Sequence, residues 1–166
     1  MSGRPARTVV VLRHAAVAAA VGMLAAGCGN SLGPGTSEGF AGTAIVVQDV
    51  EGLGSQPIDE GWVIAIPTDR IGQVLTDLPE DQLSEPHLQH VTTPVATEDV
   101  RTAGGSVGEL DGGRFTLEIE AREYFACLVR DTGQGQHTSG CDLVDLPATG
   151  TLELTTGEGG VRVEVP

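Results

Sequence analysis

The feature that most constrains the fold is a stretch of strict alternation between apolar and polar side chains at residues 114–120. Its apolar positions are Phe115, Leu117 and Ile119, and charged or hydroxyl side chains occupy the positions between them. A period of two residues is that of a β-strand with one face in a core and the other in water. The pattern therefore predicts a strand at the surface of a hydrophobic core.

Further strands are expected along the chain from residue 42 onward. Residues 44–48 form a β-branched run, and residues 62–67 form a strongly apolar run that is typical of a central strand. Residues 124–130 are apolar without alternation, which indicates burial on both faces. Near the end of the sequence, alternation at 151–155 and 161–165 flanks a turn at 157–160 and predicts a hairpin.

One short helix is predicted, followed by a long irregular excursion. Ile71, Val74, Leu75 and Leu78 have helical spacing, with Thr68 or Asp69 as N-cap and Pro79 as the end of the helix. Residues 79–112 are polar, contain prolines and show no sustained period, so we expect loop with short fragments of structure there.

These elements predict a mostly β fold, an antiparallel β-sandwich of about seven strands. The order of motifs resembles the carboxypeptidase-regulatory-like, or prealbumin-like, domains. The resemblance covers residues 42–130, although Glu123 stands where that family has glycine before its tyrosine. It implies an accessory binding or structural module without catalytic residues. The positions that carry it are Gly42–Ile45, Asp49, Gly54, Pro57, Trp62–Val63, Asp111–Phe115 and Tyr124.

The beginning of the chain carries a targeting pattern. Arg4, Arg7 and Arg13 precede an uncharged apolar run at residues 15–26, and small residues stand directly before Cys28. This arrangement resembles the signal peptide of bacterial lipoproteins, with Ala25 where leucine is commoner. In that family a diacylglycerol, typically carrying palmitate, is attached to the cysteine sulfur, and the chain is cut before the cysteine.

The resemblance implies an exported protein that is anchored to the outer face of the cytoplasmic membrane. A transmembrane helix would need about 20 apolar residues, whereas the uncharged run holds twelve. An ordinary secretory signal without lipid is the better alternative. The expected organisation is a signal peptide at 1–27, lipidated Cys28 and a flexible tether at 28–41, and one domain at 42–166.

The charge of the exported part excludes one class of partner. Residues 28–166 hold six arginines, no lysine and 23 acidic residues, a formal charge of −17. Nucleic acids and anionic membrane surfaces are polyanions and repel such a domain. We therefore expect no nucleic-acid partner, membrane attachment through the diacylglycerol on Cys28, and an envelope protein as the possible partner. The oligomeric state stays open.

The two remaining cysteines favour a disulfide. Once Cys28 is lipidated, Cys127 and Cys141 form an even pair in an oxidising compartment. A bridge between them would close a loop whose flexible part is expected at residues 131–140, and would stabilise the fold by about 3 kcal/mol in the loop-entropy model. Two buried thiols, or a metal pair without the usual C-x-x-C spacing, are the alternatives.

One motif raises the possibility of catalysis. Residues 104–108 match G-x-S-x-G, the nucleophile elbow, which requires a strand before the serine and a helix after it. Here the preceding run is short and a strand follows, so a glycine-rich loop is expected. A small cell-surface hydrolase that uses Ser106 and His137 remains an alternative, and paired carboxylates of a glycosidase also stay open.

Metal sites are a further alternative. His87 and His90 lie near acidic residues and could hold zinc or copper, but no third ligand is fixed by spacing. Acidic pairs could bind calcium, although none has the spacing of a calcium loop. We expect solvated surface at these positions, and no metal or cofactor. The pairs are Asp59 with Glu60, Glu80 with Asp81, and Asp142 with Asp145.

The aromatic side chains are few, so the core is expected to contain them. They could instead line a ligand groove, and the residues concerned are Trp62, Phe115, Tyr124 and Phe125. Together these features predict a non-catalytic binding or structural module of the cell envelope. A metal- or solute-binding lipoprotein is the remaining alternative.

Overall fold

The computed structural model describes residues 39–47, 54–84 and 87–166, which form two packed β-sheets. The predicted signal peptide, Cys28 and most of the predicted tether lie outside the described residues. The strands are β1 (Phe40–Val47), β2 (Ser55–Pro57), β3 (Trp62–Pro67), β4 (Ser106–Glu109), β5 (Arg114–Leu117), β6 (Arg122–Asp131), β7 (Gln136–Leu146), β8 (Gly150–Gly157) and β9 (Gly160–Glu164). The α-helices are α1 (Ile71–Val74) and α2 (Thr97–Thr102), and 3-10 helices span Thr68–Arg70, Glu80–Gln82 and His87–His90.

The two sheets have different strand orders. Sheet A has the order β2-β1-β8-β9, and β5 also pairs with β1, while sheet B has the order β4-β3-β6-β7. Neighbouring strands are antiparallel except β1 and β8, which run parallel to each other. The predicted mostly β sandwich is confirmed. It has nine strands among the described residues instead of about seven, and the β1–β8 pair departs from a wholly antiparallel arrangement.

The core between the sheets follows the alternation in the sequence. Phe115 and Leu117 of β5 are buried in it, as are Leu152 and Leu154 of β8. The predicted hairpin at the end of the sequence is confirmed, because β8 and β9 pair antiparallel and Leu154 lies opposite Val163. The alternating strands therefore separate core from solvent as a period of two requires.

Sheet B is buried on both of its faces. Residues 63–67 of β3 and 124–129 of β6 are all buried, in agreement with the central strand and the two-sided burial that were predicted. The second face is covered by residues 68–105, which we call the cover segment. Ile71, Leu75, Leu88 and Val100 of this segment pack in one cluster with side chains of β3, β6 and β7.

The cover segment revises the predicted irregular excursion. Its short helices agree with the expected fragments of structure, but Leu88 and Val100 have no exposed surface. The excursion also contains β4, which pairs with β3 as an edge strand of sheet B. Much of the region at 79–112 is thus part of the folded layers, because its isolated apolar residues pack against sheet B.

The predicted helix is shorter than its periodicity suggested. A 3-10 helix, Thr68–Arg70, leads directly into α1, and neither Thr68 nor Asp69 caps the helix with its side chain. The helix ends at Val74, five residues before Pro79. The apolar spacing nevertheless identified the buried side, since the buried residues are Ile71, Val74 and Leu75, and Leu78 packs partly against them.

Strand β7 is an element that the sequence analysis did not find. Residues 136–140, which were expected in a flexible loop, belong to it. Cys127 and Cys141 lie directly opposite each other in the pairing of β6 and β7. Their sulfur atoms are 2.05 Å apart, a disulfide distance, so the structure has the cysteine pair that was predicted. Both side chains are buried beneath the cover segment.

The sandwich has two distinct ends. The chain enters β1 at Phe40, and we call this the entry end; because the Phe40 side chain is fully buried, the fold includes residues before the predicted start at 42. The opposite, distal end carries the β2–β3 connection, the β4–β5 turn, the β6–β7 hairpin loop and the β8–β9 turn. Among the described residues, no helix has the length and apolar character that a membrane span requires.

Candidate binding groove

A groove of about 780 Å³ opens at the distal end of the sandwich. Its apolar part is formed by Ile58, Trp62 and Leu110, and Ile58 and Leu110 are buried members of the core. Its charged part consists of four carboxylates and one arginine. The lining residues are Pro57, Ile58, Asp59, Glu60, Gly61, Trp62, Glu109, Leu110, Arg130 and Asp131.

The strand pairing of sheet B places Trp62 between the ends of β4 and β6, each of which carries an acidic residue. Trp62 lies directly opposite Glu109 of β4 on one side and Val129 of β6 on the other. Asp131 follows Val129 by two residues and therefore stands on the same face of the sheet. Trp62 is partly buried and packs against the cluster beneath the cover segment.

Gly61 brings the wall of the groove close to sheet B. Its φ is +126°, and a Cβ atom at this position would lie 2.4 Å from the carbonyl oxygen of Val129. The amide of Leu110 donates a hydrogen bond to the carbonyl oxygen of Gly61 at 2.9 Å. Only glycine fits both the conformation and the space, so this residue fixes the connection between β2 and β3 against β4 and β6.

The groove carries uncompensated negative charge. Its four carboxylates belong to Asp59, Glu60, Glu109 and Asp131, and all four residues are exposed. Within the described part of the chain, the ion pairs join Arg70 to Asp69 and Arg101 to Glu98, and neither involves the groove. Arg130 is therefore the single cation on a rim of four anions. The arrangement is suited to contact with a positively charged group.

The structure gives Ser106 a structural role. Ser106 belongs to edge strand β4 and is buried, and its Oγ accepts a hydrogen bond from the amide of Glu118 at 2.9 Å. The residue thus joins β4 to the chain just after β5, which closes one side of the sandwich. A nucleophile elbow would place serine on a turn between a strand and a helix, and Ser106 does not lie on such a turn.

Ser106 and His137 are not brought together. They belong to β4 and β7, the two edge strands of sheet B, and β3 and β6 lie between them. Three strand spacings of about 4.8 Å separate such positions by roughly 14 Å. His137 Nδ1 instead lies 3.0 Å from the carbonyl oxygen of Gly135 and 3.1 Å from Oγ1 of Thr132, within its own hairpin.

Asp142 has a role that the sequence did not reveal. Its carboxylate is buried and accepts hydrogen bonds from the Val163 amide at 2.8 Å and from Nε2 of Gln89 at 3.0 Å. Val163 belongs to β9 at the edge of sheet A, whereas Asp142 belongs to β7 at the edge of sheet B. Asp142 therefore closes the second side of the sandwich. Its partner lies 21 residues away, so no local pattern marks it.

The other candidate ligands do not converge. His87 and His90 are exposed in the 3-10 helix of the cover segment. No group of three or more histidine, cysteine, aspartate or glutamate side chains in the described part of the chain has the geometry to hold a metal ion. Asp59, Glu60, Glu80, Asp81 and Asp145 are exposed, in contrast to buried Asp142.

The aromatic residues divide between core and groove. Phe115, Tyr124 and Phe125 are buried, as predicted, and the Tyr124 hydroxyl donates a hydrogen bond to the carbonyl oxygen of Glu120 at 3.1 Å. Trp62 alone of the four lines the groove. Trp62 is partly exposed at the first residue of β3, in contrast to the three buried aromatic residues.

Comparisons with protein-family models, with curated proteins and with solved structures found no match. The resemblance to carboxypeptidase-regulatory-like domains therefore stays a prediction from the sequence.

Proposed function

We propose that this chain is a lipid-anchored, extracytoplasmic binding or structural module of the cell envelope without catalytic activity. The proposal combines the targeting pattern that ends at Cys28 with the distribution of polar groups in the sandwich. A carboxypeptidase-regulatory-like or prealbumin-like origin of the domain belongs to the same proposal and remains based on the motifs of the sequence.

The position of the groove carries the binding role. The chain enters the sandwich at Phe40, which defines the entry end. The groove lies at the opposite end of β3, a strand of six residues that spans about 20 Å. A partner therefore reaches the groove at the end of the sandwich away from the point at which the chain enters it.

The buried polar side chains support a role without catalysis. In the described residues the buried polar or charged residues are Thr93, Ser106, Thr138 and Asp142. The side chains of Ser106, Thr138 and Asp142 accept hydrogen bonds from backbone amides of other segments. Catalytic groups are commonly held with perturbed environments and a free reacting atom. Ser106, the candidate nucleophile, accepts the Glu118 amide, and His137 lies at the opposite edge of sheet B.

Metabolic labelling with palmitate, followed by cell fractionation, tests the anchor. The wild-type chain should carry label and sediment with membranes, while Cys28→Ala should lose the label and leave the membrane fraction. Unlabelled wild-type chain in the cytosol contradicts the proposal. Two acyl chains suffice for stable attachment, since each buried methylene contributes about 0.8 kcal/mol.

A fluorophosphonate probe tests the absence of catalysis. The wild-type chain and Ser106→Ala should both stay unlabelled, because the Ser106 hydroxyl is buried and accepts the Glu118 amide. Labelling of the wild-type chain that disappears in Ser106→Ala supports the hydrolase alternative instead. Crosslinking on intact cells then identifies which envelope protein is bound.

A further inference from the structure

We propose that the distal groove docks a segment rich in arginine or lysine from an exported partner protein, with one cationic side chain seated beside Trp62. The inference rests on the proposed binding role and names the chemistry of the partner. Three features of the groove carry it: the exposed part of Trp62, the carboxylates that flank Trp62, and the net charge of the lining.

The exposed part of Trp62 provides a contact for the aliphatic part of a long side chain. Trp62 is partly exposed at the groove, whereas Ile58 and Leu110 are each 5% exposed and belong to the core between the sheets. Arginine and lysine place their methylene groups along apolar surface while the charged head stays near water. A purely polar or acidic segment would gain nothing from this contact.

The flanks of Trp62 provide a contact for the charged head. Guanidinium and ammonium groups are attracted to the face of an indole ring. Glu109 on β4 and Asp131 on β6 stand on either side of Trp62 in the register of sheet B, and carboxylates accept charge-assisted hydrogen bonds from the same groups. Asp131 Oδ1 also accepts the Gly133 amide at 2.8 Å, which holds this carboxylate at its place.

The number and spread of the carboxylates in the groove favour a segment over a single small cation. Asp59 and Glu60 continue the acidic rim along the β2–β3 connection, beyond the flanks of Trp62. The exported residues carry a formal charge of −17, which attracts basic partners and repels acidic ones. An anionic lipid surface is disfavoured by the same charge. Arg130 offers a donor for a backbone carbonyl of the bound segment.

Titration of residues 29–166 without the lipid tests the inference, because this segment includes every residue that the structure describes. Trp62 is the single tryptophan of the chain, so its fluorescence reports the groove directly. The probe is a peptide of alternating arginine and glycine, and a peptide of alternating glutamate and glycine serves as the negative control. We expect a saturable change in indole fluorescence with the arginine peptide only, weaker at high salt.

Variants separate the groove from the general charge of the protein. Glu109→Gln combined with Asp131→Asn should weaken binding of the arginine peptide by about tenfold, because two close charge contacts are lost. Glu153→Gln combined with Glu164→Gln removes the same charge from the outer face of sheet A and should leave binding unchanged. Calorimetry on Trp62→Phe should show weaker binding with the fold retained.

Three outcomes overturn the inference. The first is equal weakening by the two charge variants, which assigns binding to net charge. The second is equally tight binding of spermine, which assigns the groove to small cations. The third is no binding of the arginine peptide. If crosslinking on intact cells still captures a partner in that case, the proposed binding role stands and only the basic segment is ruled out.

Discussion

Single polar residues close the two open sides of this sandwich. Ser106 accepts the Glu118 amide on one side, and Asp142 accepts the Val163 amide on the other. The hydrogen bond of Asp142 contributes more to the stability of the fold than that of Ser106. It pairs an amide of an edge strand, and unpaired amides on such strands attract other chains. A carboxylate without its partners would also be costly in a buried position. The interaction of one side chain thus protects the free edge of β9.

We expect Asp142→Asn to lower the free energy of unfolding by about 1–3 kcal/mol, since the amide replaces an acceptor by a donor that faces the Val163 N–H. Urea unfolding followed by circular dichroism measures the change. Asp145→Asn, an exposed position on the same strand, is the matched control and should stay within about 0.5 kcal/mol of wild type. Equal midpoints for the two variants would show that the carboxylate is dispensable.

At the scale of elements, the cover segment turns a two-layer sandwich into three layers. It encloses the apolar outer face of sheet B and the disulfide between Cys127 and Cys141. An uncovered apolar face of this kind would be exposed to association with other chains. The short helices and turns of the segment therefore belong to the stability of the whole fold, although little of the segment is regular structure.

Leu88→Ala tests whether the cover segment is part of the cooperative fold. Leu88 has no exposed surface, and truncation of such a side chain removes about 2–5 kcal/mol from the free energy of unfolding. The same variant should speed alkylation of Cys127 and Cys141 in the presence of reductant. Leu83→Ala, a partly buried leucine in the same segment, should cost less. A transition unchanged from wild type in Leu88→Ala would mean that the segment is detached.

The sequence predicted those elements whose burial repeats regularly. Arg114–Leu117 and the β8–β9 hairpin alternate, and β6 lacks alternation because both of its faces are covered. Strand β7 was not predicted for two reasons. Its register with β6 shifts between Cys127 and Val129, and Asp142 within it is a buried charged residue that bonds to β9. The motif around Ser106 suggested a nucleophile for a similar reason, since the amide that hydrogen-bonds to Ser106 belongs to a different segment. The groove depends on strand register, which composition does not encode.

At the scale of the whole molecule, acidic residues far outnumber the arginines that could neutralise them. Residues 28–166 carry a formal charge of −17, and the two ion pairs in the described part of the chain join exposed neighbours. Such self-repulsion destabilises the compact state. The same charge would attract the basic segment that we propose as the occupant of the groove. The proposed recognition therefore has a cost in thermal stability.

We expect the melting temperature to rise with sodium chloride, because the Debye length falls from about 30 Å at 0.01 M to about 8 Å at 0.15 M and screens the repulsion. Differential scanning calorimetry over this range measures the effect. Glu153→Gln combined with Glu164→Gln removes two carboxylates that lie opposite each other on β8 and β9 and should reduce the salt dependence. A melting temperature that is constant or falls with salt contradicts the expectation.

The parallel pairing of β1 with β8 has a consequence for biogenesis. The first strand cannot complete its hydrogen bonding until a segment more than a hundred residues later has been synthesised, since Phe40 pairs with Gly150. Contacts of such sequence separation form late and slowly. Under the proposed export, the chain would therefore remain unfolded almost to its last strand while it crosses a translocation channel, and the sandwich would assemble only on the far side.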